Sequence, residues 1–193
     1  MKSFFFKYLF DKELKRGIFL KNDFLLRLSL TKGIGAFGKH RIYQFAKRHQ
    51  WWQFDGLEIR LLAQSTKPNN WNEWSGERLK QVERTHQFIT IEDEVYPETL
   101  RHVPTPPLVL FYKGDLALLK RKMLAVVGAR EATNYGYHVL QELMPEITKR
   151  GFTIVSGLAK GIDSFAHQFA ISNQGKTIGV VGTGLDICYP KNS

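Results

Sequence analysis

A repeating order of apolar strands and helices in the C-terminal half is the feature that most limits how this 193-residue chain can fold. Short apolar runs at residues 123–127, 152–155 and 177–181 indicate strands, and helical patterns at residues 135–150 and 162–173 separate them. Strands joined by single helices pair in parallel through right-handed crossovers. The sequence therefore predicts an α/β fold whose parallel sheet, buried on both faces, is one half of a Rossmann-like domain.

Pro145 interrupts the first of these two helices. A proline inside a helix removes a backbone hydrogen bond and costs about 3 kcal/mol. We therefore expect this helix either to kink at Pro145 or to start late. Gly151 and Gly175 are expected to end the first and the second helix.

The N-terminal half is predicted to be a small helical domain. Residues 22–30 begin with residues that cap helices, and a glycine-containing turn leads into a second helix at residues 39–49. The four tryptophans could stack on unpaired bases, but core packing is favoured because a small domain needs large buried side chains. These tryptophans are Trp51, Trp52, Trp71 and Trp74.

Near residue 88 the sequence changes from helical patterns to strand patterns, and this change predicts the boundary between the two domains. Strand patterns at residues 88–91 and 108–112 flank a proline-rich connection. We therefore predict a helical domain over residues 1–87, built around a helix-turn-helix pair, and the first half of a Rossmann-like domain over residues 88–193. Residues 1–20 have no clean period, and no function is assigned to them.

Composition narrows the partners and the compartment. The 28 Lys and Arg residues outnumber the 18 Asp and Glu residues, and the net charge of +10 favours a polyanion such as nucleic acid. The one cysteine, Cys188, excludes a disulfide within the chain and a Cys-based zinc site. No apolar run is long enough for a membrane span or a signal peptide. We therefore expect a cytoplasmic protein that does not associate with a membrane.

Glycine-containing loops follow each of the three strands in the C-terminal half. In a parallel sheet these loops meet at the carboxyl edge, where glycines let backbone N–H groups approach phosphate oxygens. Any one loop is more simply explained as a tight turn, but the three together favour an anion site, with Arg130 and Lys160 as its cations. The candidate phosphate-binding residues are Gly128, Arg130, Ser156, Gly157, Lys160, Gly161, Gly182, Thr183 and Gly184.

Two further patterns have alternative interpretations. The turn between the N-terminal helices resembles a helix-hairpin-helix, whose amides hold a DNA phosphate, although a plain helical turn is somewhat favoured; its candidate residues are Lys32, Gly33, Gly35 and Lys39. Asp163 and His167 share a helix face and could bind a metal. More simply, Asp163 favours the helix N-terminus and His167 packs on the sheet while bonding to a loop. Cys188 is expected to be a small packed residue rather than a nucleophile.

An ordered series of short motifs resembles the DNA-processing protein A family, also called DprA or Smf. Each motif alone is weak, but their order is specific, and they cover residues 96–193 closely and residues 22–90 loosely. The motifs are Tyr96-Pro97, Leu100, Pro106-Pro107, Gly114, Val126-Val127-Gly128-Ala129-Arg130, Tyr135-Gly136, Ser156-Gly157-Leu158-Ala159-Lys160-Gly161-Ile162-Asp163, Ala166-His167, Gly182-Thr183-Gly184-Leu185-Asp186, Tyr189-Pro190 and Asn192.

The resemblance implies a bacterial protein with a sterile-alpha-motif-like (SAM-like) helical domain and an extended Rossmann-like domain that binds single-stranded DNA. Members of the family protect incoming DNA and load the RecA recombinase during natural transformation. Arg130 corresponds to the basic residue of the family's G-S/T-R motif, and Lys160 to a position usually held by Arg or Lys. The family's sheet continues beyond the length of this chain, so the domain is expected to be incomplete at its C-terminus and the full-length protein to be a homodimer.

A nucleotide-binding or nucleotide-hydrolysing Rossmann-like enzyme is the alternative function. Relatives of the family hydrolyse nucleoside monophosphates with acidic residues and a glycine-rich loop. Here no catalytic carboxylate pair, no Walker lysine and no acidic ribose-binding residue is evident. We therefore expect a non-enzymatic protein that has no catalytic residues and needs neither a cofactor nor a metal.

Overall fold

The computed structural model describes residues 21–52 and 76–187 of the chain. The chain divides into two compact units, Met1–Tyr112 and Lys113–Ser193. The domain boundary predicted from the sequence, between residues 87 and 88, lies ahead of this division, so that an antiparallel hairpin falls in the first unit. Within the described ranges, no helix is long and apolar enough to cross a membrane.

Four helices are described in the first unit, and the first two correspond to the predicted pair. Residues 21–30 form α1, and α2 and α3 span Ala36–His49 and Gly76–Thr85. The predicted cap at the start of α1 is wrong, because residue 21 is already helical and Asp23 pairs with Arg27 inside the helix at 3.5 Å.

The core of the first unit includes side chains of α1, α2 and α3 together with buried residues of the hairpin such as Ile89 and Val109. Phe24 is buried in it and meets Trp51 and Trp52 edge to face, with ring centroids 6.1 and 5.7 Å apart. Core packing is therefore confirmed for these two tryptophans, whereas Trp71 and Trp74 lie outside the described residues. The other buried apolar helix residues of this unit are Leu25, Leu26, Leu28, Ile42, Tyr43, Ala46 and Leu79.

The two strands predicted at residues 88–91 and 108–112 are present, and they pair as an antiparallel hairpin of β1, Gln87–Thr90, and β2, Val109–Tyr112. A short helix, α4, spans Glu98–Arg101 between them. Glu92, just after β1, accepts hydrogen bonds from Lys21 of α1 at 3.2 Å, from Lys47 of α2 at 2.8 Å and from the Tyr43 hydroxyl of α2. Burial alone would raise the pKa of Glu92, but these hydrogen bonds lower it to about 2. A carboxylate thus ties two helices to the end of β1.

The second unit has the predicted α/β order. Its three strands form a parallel sheet in the order β3-β4-β5, with Leu124 beside Ile154 and Ile154 beside Thr177. This arrangement confirms the α/β fold class. After a 3-10 helix at Leu116–Lys120, the elements are β3 Met123–Ala125, α5 Asn134–Lys149, β4 Thr153–Ser156, α6 Ile162–Ser172 and β5 Lys176–Gly179.

The core of the second unit centres on the middle strand. Ile154 of β4 is fully buried against Leu140 and Met144 of α5 and against Ala166 and Ala170 of α6. The prediction that the whole sheet is buried on both faces is wrong for β3 and β5, which keep exposed or half-buried residues along their length. Among the described strands, only β4 has a neighbour on each side, and this explains the difference.

The ends of α5 and α6 correct two sequence predictions. The helix α5 runs from Asn134 through Pro145, so the expected late start is wrong. It ends as predicted, with Gly151 in the left-handed region at φ +78°. After α6, however, Gln174 takes the left-handed conformation at φ +57°, and Gly175 donates its N–H to Ala170 O at 2.8 Å in a Schellman-type cap.

Candidate phosphate-binding edge of the parallel sheet

Three loops lie at the carboxyl ends of the parallel strands. We call them loop 1 (residues 126–133, between β3 and α5), loop 2 (residues 157–161, between β4 and α6) and loop 3 (residues 180–187, after β5). The sheet places them at one edge, as the sequence predicts. The loops differ in how many of their hydrogen-bonding groups have partners within the unit, and this difference decides what the edge can bind.

Loop 2 is closed by hydrogen bonds within the unit. The buried Ser156 hydroxyl, at its start, donates to Val126 O at 2.6 Å, and Gly157 N donates to the carboxylate of Asp163 at 3.1 Å. Ser164, in the first turn of α6, donates both its N–H and its hydroxyl to Ala159 O, at 3.1 and 2.6 Å. The Ser156 hydroxyl, the Gly157 N–H and both donors of Ser164 are therefore already paired within the unit.

Gly161, the last residue of loop 2, is required by its conformation and its neighbours. It lies at φ +79°, and a Cβ atom there would come within 2.3 Å of Ala129 O and 2.5 Å of Arg130 O. Only glycine fits both constraints. Loop 2 thereby presses on the backbone of loop 1 and places Lys160 beside Arg130.

Leu158 stores strain in the middle of loop 2. It adopts φ +56°, a left-handed conformation that costs a residue with a Cβ roughly 1–2 kcal/mol. Its side chain lies over β5, because a Cβ atom on Gly179 would come within 2.5 Å of Leu158 Cδ1. Packing on the strand therefore offsets the strain and helps to fix the loop.

One side chain, Ile162 of α6, packs against Gly128 in loop 1 and against Gly136 in the first turn of α5. A Cβ atom on Gly128 or on Gly136 would come within 2.7 or 2.8 Å of Ile162 carbons. The Ile162 N–H also donates to Ala129 O at 3.2 Å. The glycines of loops 1 and 2 are thus explained by close packing, which was the simpler interpretation of each loop taken singly.

The Arg130 side chain of loop 1 and the first N–H groups of α5 remain open, in contrast to the bonded groups of loop 2. Arg130 is exposed. Thr133 caps α5 by accepting from Gly136 N at 3.4 Å, and Tyr137 N donates to Thr133 O at 3.2 Å. No described residue accepts from the N–H groups of Asn134 and Tyr135. An exposed guanidinium shortly before open amides at a helix N-terminus along the chain is an arrangement that can bind anions.

Loop 3 is exposed over residues 182–187. A Cβ atom on Gly182 would meet nothing within 4 Å, and one on Gly184 would meet the exposed side chains of Asp186, at 2.5 Å from its Oδ1, and of Ile187, at 3.9 Å from its Cδ1. Close packing therefore does not require glycine at either position. Thr183 is exposed between them.

The structure separates the nine predicted phosphate-site residues into two groups. Ser156 and Gly157 have their polar groups bonded internally, and Gly161 is half-buried in a packing role. The sequence offered no sign of this pairing, since its key partner, Asp163, lies six residues beyond Gly157. The exposed group consists of Gly128, Arg130, Lys160, Gly182, Thr183 and Gly184.

Asp163 and His167 have structural partners, which supports the simpler of their two interpretations. Thr177 Oγ1 donates to Ile154 O at 3.0 Å, so His167 Nδ1, 2.6 Å from Thr177 Oγ1, is assigned as the donor of that hydrogen bond. The predicted loop partner is thus wrong, because Thr177 belongs to β5. Burial lowers the pKa of His167, although Asp163 opposes the shift. No cluster of three or more metal-ligating side chains occurs in the part of the chain that is described.

The turn between α1 and α2 contains the second candidate site. Gly33 lies at φ +82°, whereas Gly35 has an ordinary conformation and open space around its Cα. Lys39 donates from its ammonium to Ser29 O, near the C-terminal end of α1, and burial lowers the pKa of Lys39. Lys39 therefore has a structural partner within α1, and Lys32 is exposed on the turn. Cys188 lies outside the described residues.

Comparison with known proteins finds the same family over the hairpin and the sheet. A family model described as DNA recombination-mediator protein A matches residues 87–193. The chain is 47% identical over 103 residues to DNA processing protein DprA of Streptococcus pneumoniae, which covers 53% of this chain and 36% of that protein. It is 43% identical over 106 residues to DNA processing protein DprA of Bacillus subtilis, covering 54% of this chain and 36% of that protein.

The fold agrees with a solved relative over most of the chain. The X-ray structure of DNA processing protein A from Streptococcus pneumoniae matches with a TM-score of 0.77 at 30% identity, covering 88% of this chain and 60% of that one. The chain spans about a third of the length of the two curated relatives. Because the family model covers more than half of the 193 residues and agrees with the ordered motifs, the chain belongs to the DNA recombination-mediator protein A family.

Proposed function

We propose that this chain binds single-stranded DNA through the carboxyl edge of its parallel sheet and acts by binding rather than by catalysis. One observation carries the proposal. Arg130 and Lys160 are exposed cations on two neighbouring loops, and the packing of Gly161 on the Arg130 backbone holds those loops together. The open amides of Asn134 and Tyr135 come four and five residues after Arg130 in the chain and can donate hydrogen bonds to a phosphate oxygen.

Charge supports a nucleic acid as the ligand. The net charge of +10 favours a polyanion, and contacts to phosphates do not read base sequence. The site therefore suits binding that depends strongly on salt and little on sequence. Exposed Gly182, Thr183 and Gly184 of loop 3 extend the same edge, and the turn at Lys32, Gly33 and Gly35 is a second candidate phosphate contact, in the first unit.

The wider role that we propose follows from membership of the family. It comprises protection of incoming DNA and loading of the RecA recombinase in the cytoplasm during natural transformation, by a homodimer of the full-length protein. The matched relatives are much longer than the matched segment, which is 36% of each. Dimerisation and RecA contact are therefore proposed for a full-length protein, and single-strand binding for this chain.

Fluorescence anisotropy with a labelled oligothymidylate at several salt concentrations tests the proposal. We expect Arg130→Glu and Lys160→Glu each to weaken binding at least tenfold. We expect Arg130→Ala to reduce the slope of log K against log salt by about 0.7, the value for one phosphate contact on a single strand. Lys176→Glu is the matched control, because it makes the same charge change at an exposed position on the opposite end of β5.

Two results would contradict the proposal. Equal losses in Arg130→Glu and Lys176→Glu would mean that net charge, and not this edge, determines binding. Conversion of a nucleoside monophosphate by the wild-type chain, lost in Arg130→Glu, would favour the alternative of a nucleotide-hydrolysing enzyme.

A further inference from the structure

Tyr135 is an aromatic side chain that does not pack in the core of the described fold. It is the second residue of α5 and is 79% exposed. Tyr137, two residues further along the same helix, instead packs its ring against Phe165 and Phe169 of α6, with both centroids 5.1 Å away. No described residue makes a ring contact with Tyr135. Core packing therefore explains Tyr137 and does not explain Tyr135.

The backbone under Tyr135 is fixed although its ring is free. Thr133 caps the helix immediately before it, and Gly136 immediately after it packs on Ile162. A tyrosine on a fixed backbone has two side-chain torsions to order, so its ring loses little conformational entropy when a ligand covers it. This is the property expected of a rigid aromatic platform.

Ile162 links Tyr135 to the proposed phosphate contact at Arg130. Gly128 and Gly136 both lie against Ile162, so the segment that carries Arg130 and Tyr135 is closed at its two ends on one side chain. A guanidinium and an exposed ring on such a short, closed segment match the alternation of phosphate and base along a single strand. Aromatic stacking of unpaired bases tolerates any sequence, because every base has a π face.

We propose that Tyr135 stacks on an unpaired base of the strand whose phosphate Arg130 contacts. The inference rests on the proposed function and deepens it: the ligand of this edge is a strand with accessible bases, in preference to a duplex or a bare polyanion. In a duplex, the base faces are covered by neighbouring base pairs and are not available to the ring.

This inference is tested by binding experiments in which the Tyr135 ring and the bases of the DNA are removed separately and together. Wild type, Tyr135→Ala and Tyr135→Phe are titrated with oligothymidylate and with an abasic deoxyribose-phosphate oligomer of the same length. We expect wild type to bind the oligothymidylate at least fivefold more tightly than the abasic oligomer. Tyr135→Ala should lose most of this preference while binding the abasic oligomer as wild type does, and Tyr135→Phe should keep it.

Two controls separate this inference from the proposed function. Leu143→Ala removes an exposed apolar side chain, 52% accessible, from the same helix and should leave the base preference unchanged. Arg130→Glu should weaken binding to both oligomers. If Arg130→Glu weakens binding but Tyr135→Ala keeps the full preference for bases, stacking by Tyr135 is wrong and the phosphate site stands. If neither oligomer binds wild type, both proposals are overturned.

Discussion

Loops 1 and 2 have similar glycine-and-cation sequences, but the structure uses them differently. In loop 2 the hydroxyl of Ser156, the N–H of Gly157 and both donors of Ser164 bond within the unit. In loop 1 Arg130 is exposed and two amides at the start of α5 find no acceptor among the described residues. The glycines alone do not distinguish a ligand loop from a packing loop, whereas the partners of the polar groups do.

The comparison assigns each loop a different role. Loop 2 and the start of α6 hold loop 1 in place, through Gly161 against the Arg130 backbone and through Ile162 against Gly128 and Gly136. Substitutions in loop 2 should therefore reduce stability, and substitutions of exposed groups in loop 1 should reduce binding. The following predictions test this division, beginning with the largest effect.

Gly161→Ala is expected to have the largest effect on stability. A Cβ atom at φ +79° is strained, and it would meet the backbone carbonyls of Ala129 and Arg130, which cannot move aside as a flexible side chain can. We expect the free energy of unfolding to fall by about 3 kcal/mol or more. Urea denaturation followed by far-ultraviolet circular dichroism measures the change.

Gly182→Ala in loop 3 is the matched control for that substitution. Its Cβ atom would meet nothing within 4 Å, so the change should stay within about 0.5 kcal/mol. Equal losses in the two variants would mean that loop 2 is no more tightly packed than loop 3, and the division between the loops would fail.

Asp163→Ala is expected to have an intermediate effect. Asp163 is buried, and its carboxylate accepts from Gly157 N, so removing it leaves a partly buried N–H without a partner, at a cost near the lower end of about 1–3 kcal/mol. Asp163→Asn keeps an acceptor oxygen and should recover part of the loss. The same urea titration measures both variants, and an Ala variant as stable as wild type would contradict the internal closure of loop 2.

Titration of His167 is expected to have a smaller, pH-dependent effect on the stability of the second unit. Burial lowers its pKa in the folded state, so protons bind the unfolded state more readily. Stability should therefore be complete above the unfolded-state pKa of about 6.5 and fall as the pH drops below it, by about 1.4 kcal/mol for each unit of the shift.

Hydrogen exchange of the β4 amides at pH 7.5 and pH 5.5 measures that fall directly. All four tryptophans precede Lys113, so tryptophan fluorescence would not follow this unit. His167→Gln removes the titrating group and should flatten the pH dependence over this interval. If the variant keeps the full dependence of wild type, another group is responsible.

Much of the fold of the second unit could be predicted from the sequence. Its strands and helices follow strong local patterns, and Gly151 ends α5 where the sequence indicates. The late start suggested by Pro145 did not occur, because proline is a local signal, whereas the burial of Leu140 and Met144 on the preceding turns is a tertiary one. The cap predicted for α1 failed for a related reason, since Asp23 can pair with Arg27 as well as cap a helix.

The candidate site could be predicted only in part. The position of Arg130 and Lys160 follows from strand order alone, because loops after parallel strands share one edge. The pairing of Gly157 with Asp163 depends on how loop 2 folds back over the start of α6, and no pattern in the sequence contains that information. The exposure of Tyr135 also could not be predicted, since Tyr137 is nearby on the same helix and is packed.

Amide exchange or chemical-shift mapping of this chain with and without oligothymidylate tests most directly whether loop 1 is the open loop and loop 2 the closed one. We predict that the ligand shifts or protects the amides of Arg130, Asn134 and Tyr135, and leaves those of Gly157 and Ser164 unchanged. Changes centred on Gly157 and Ser164, with Arg130 and Asn134 unaffected, would contradict the account.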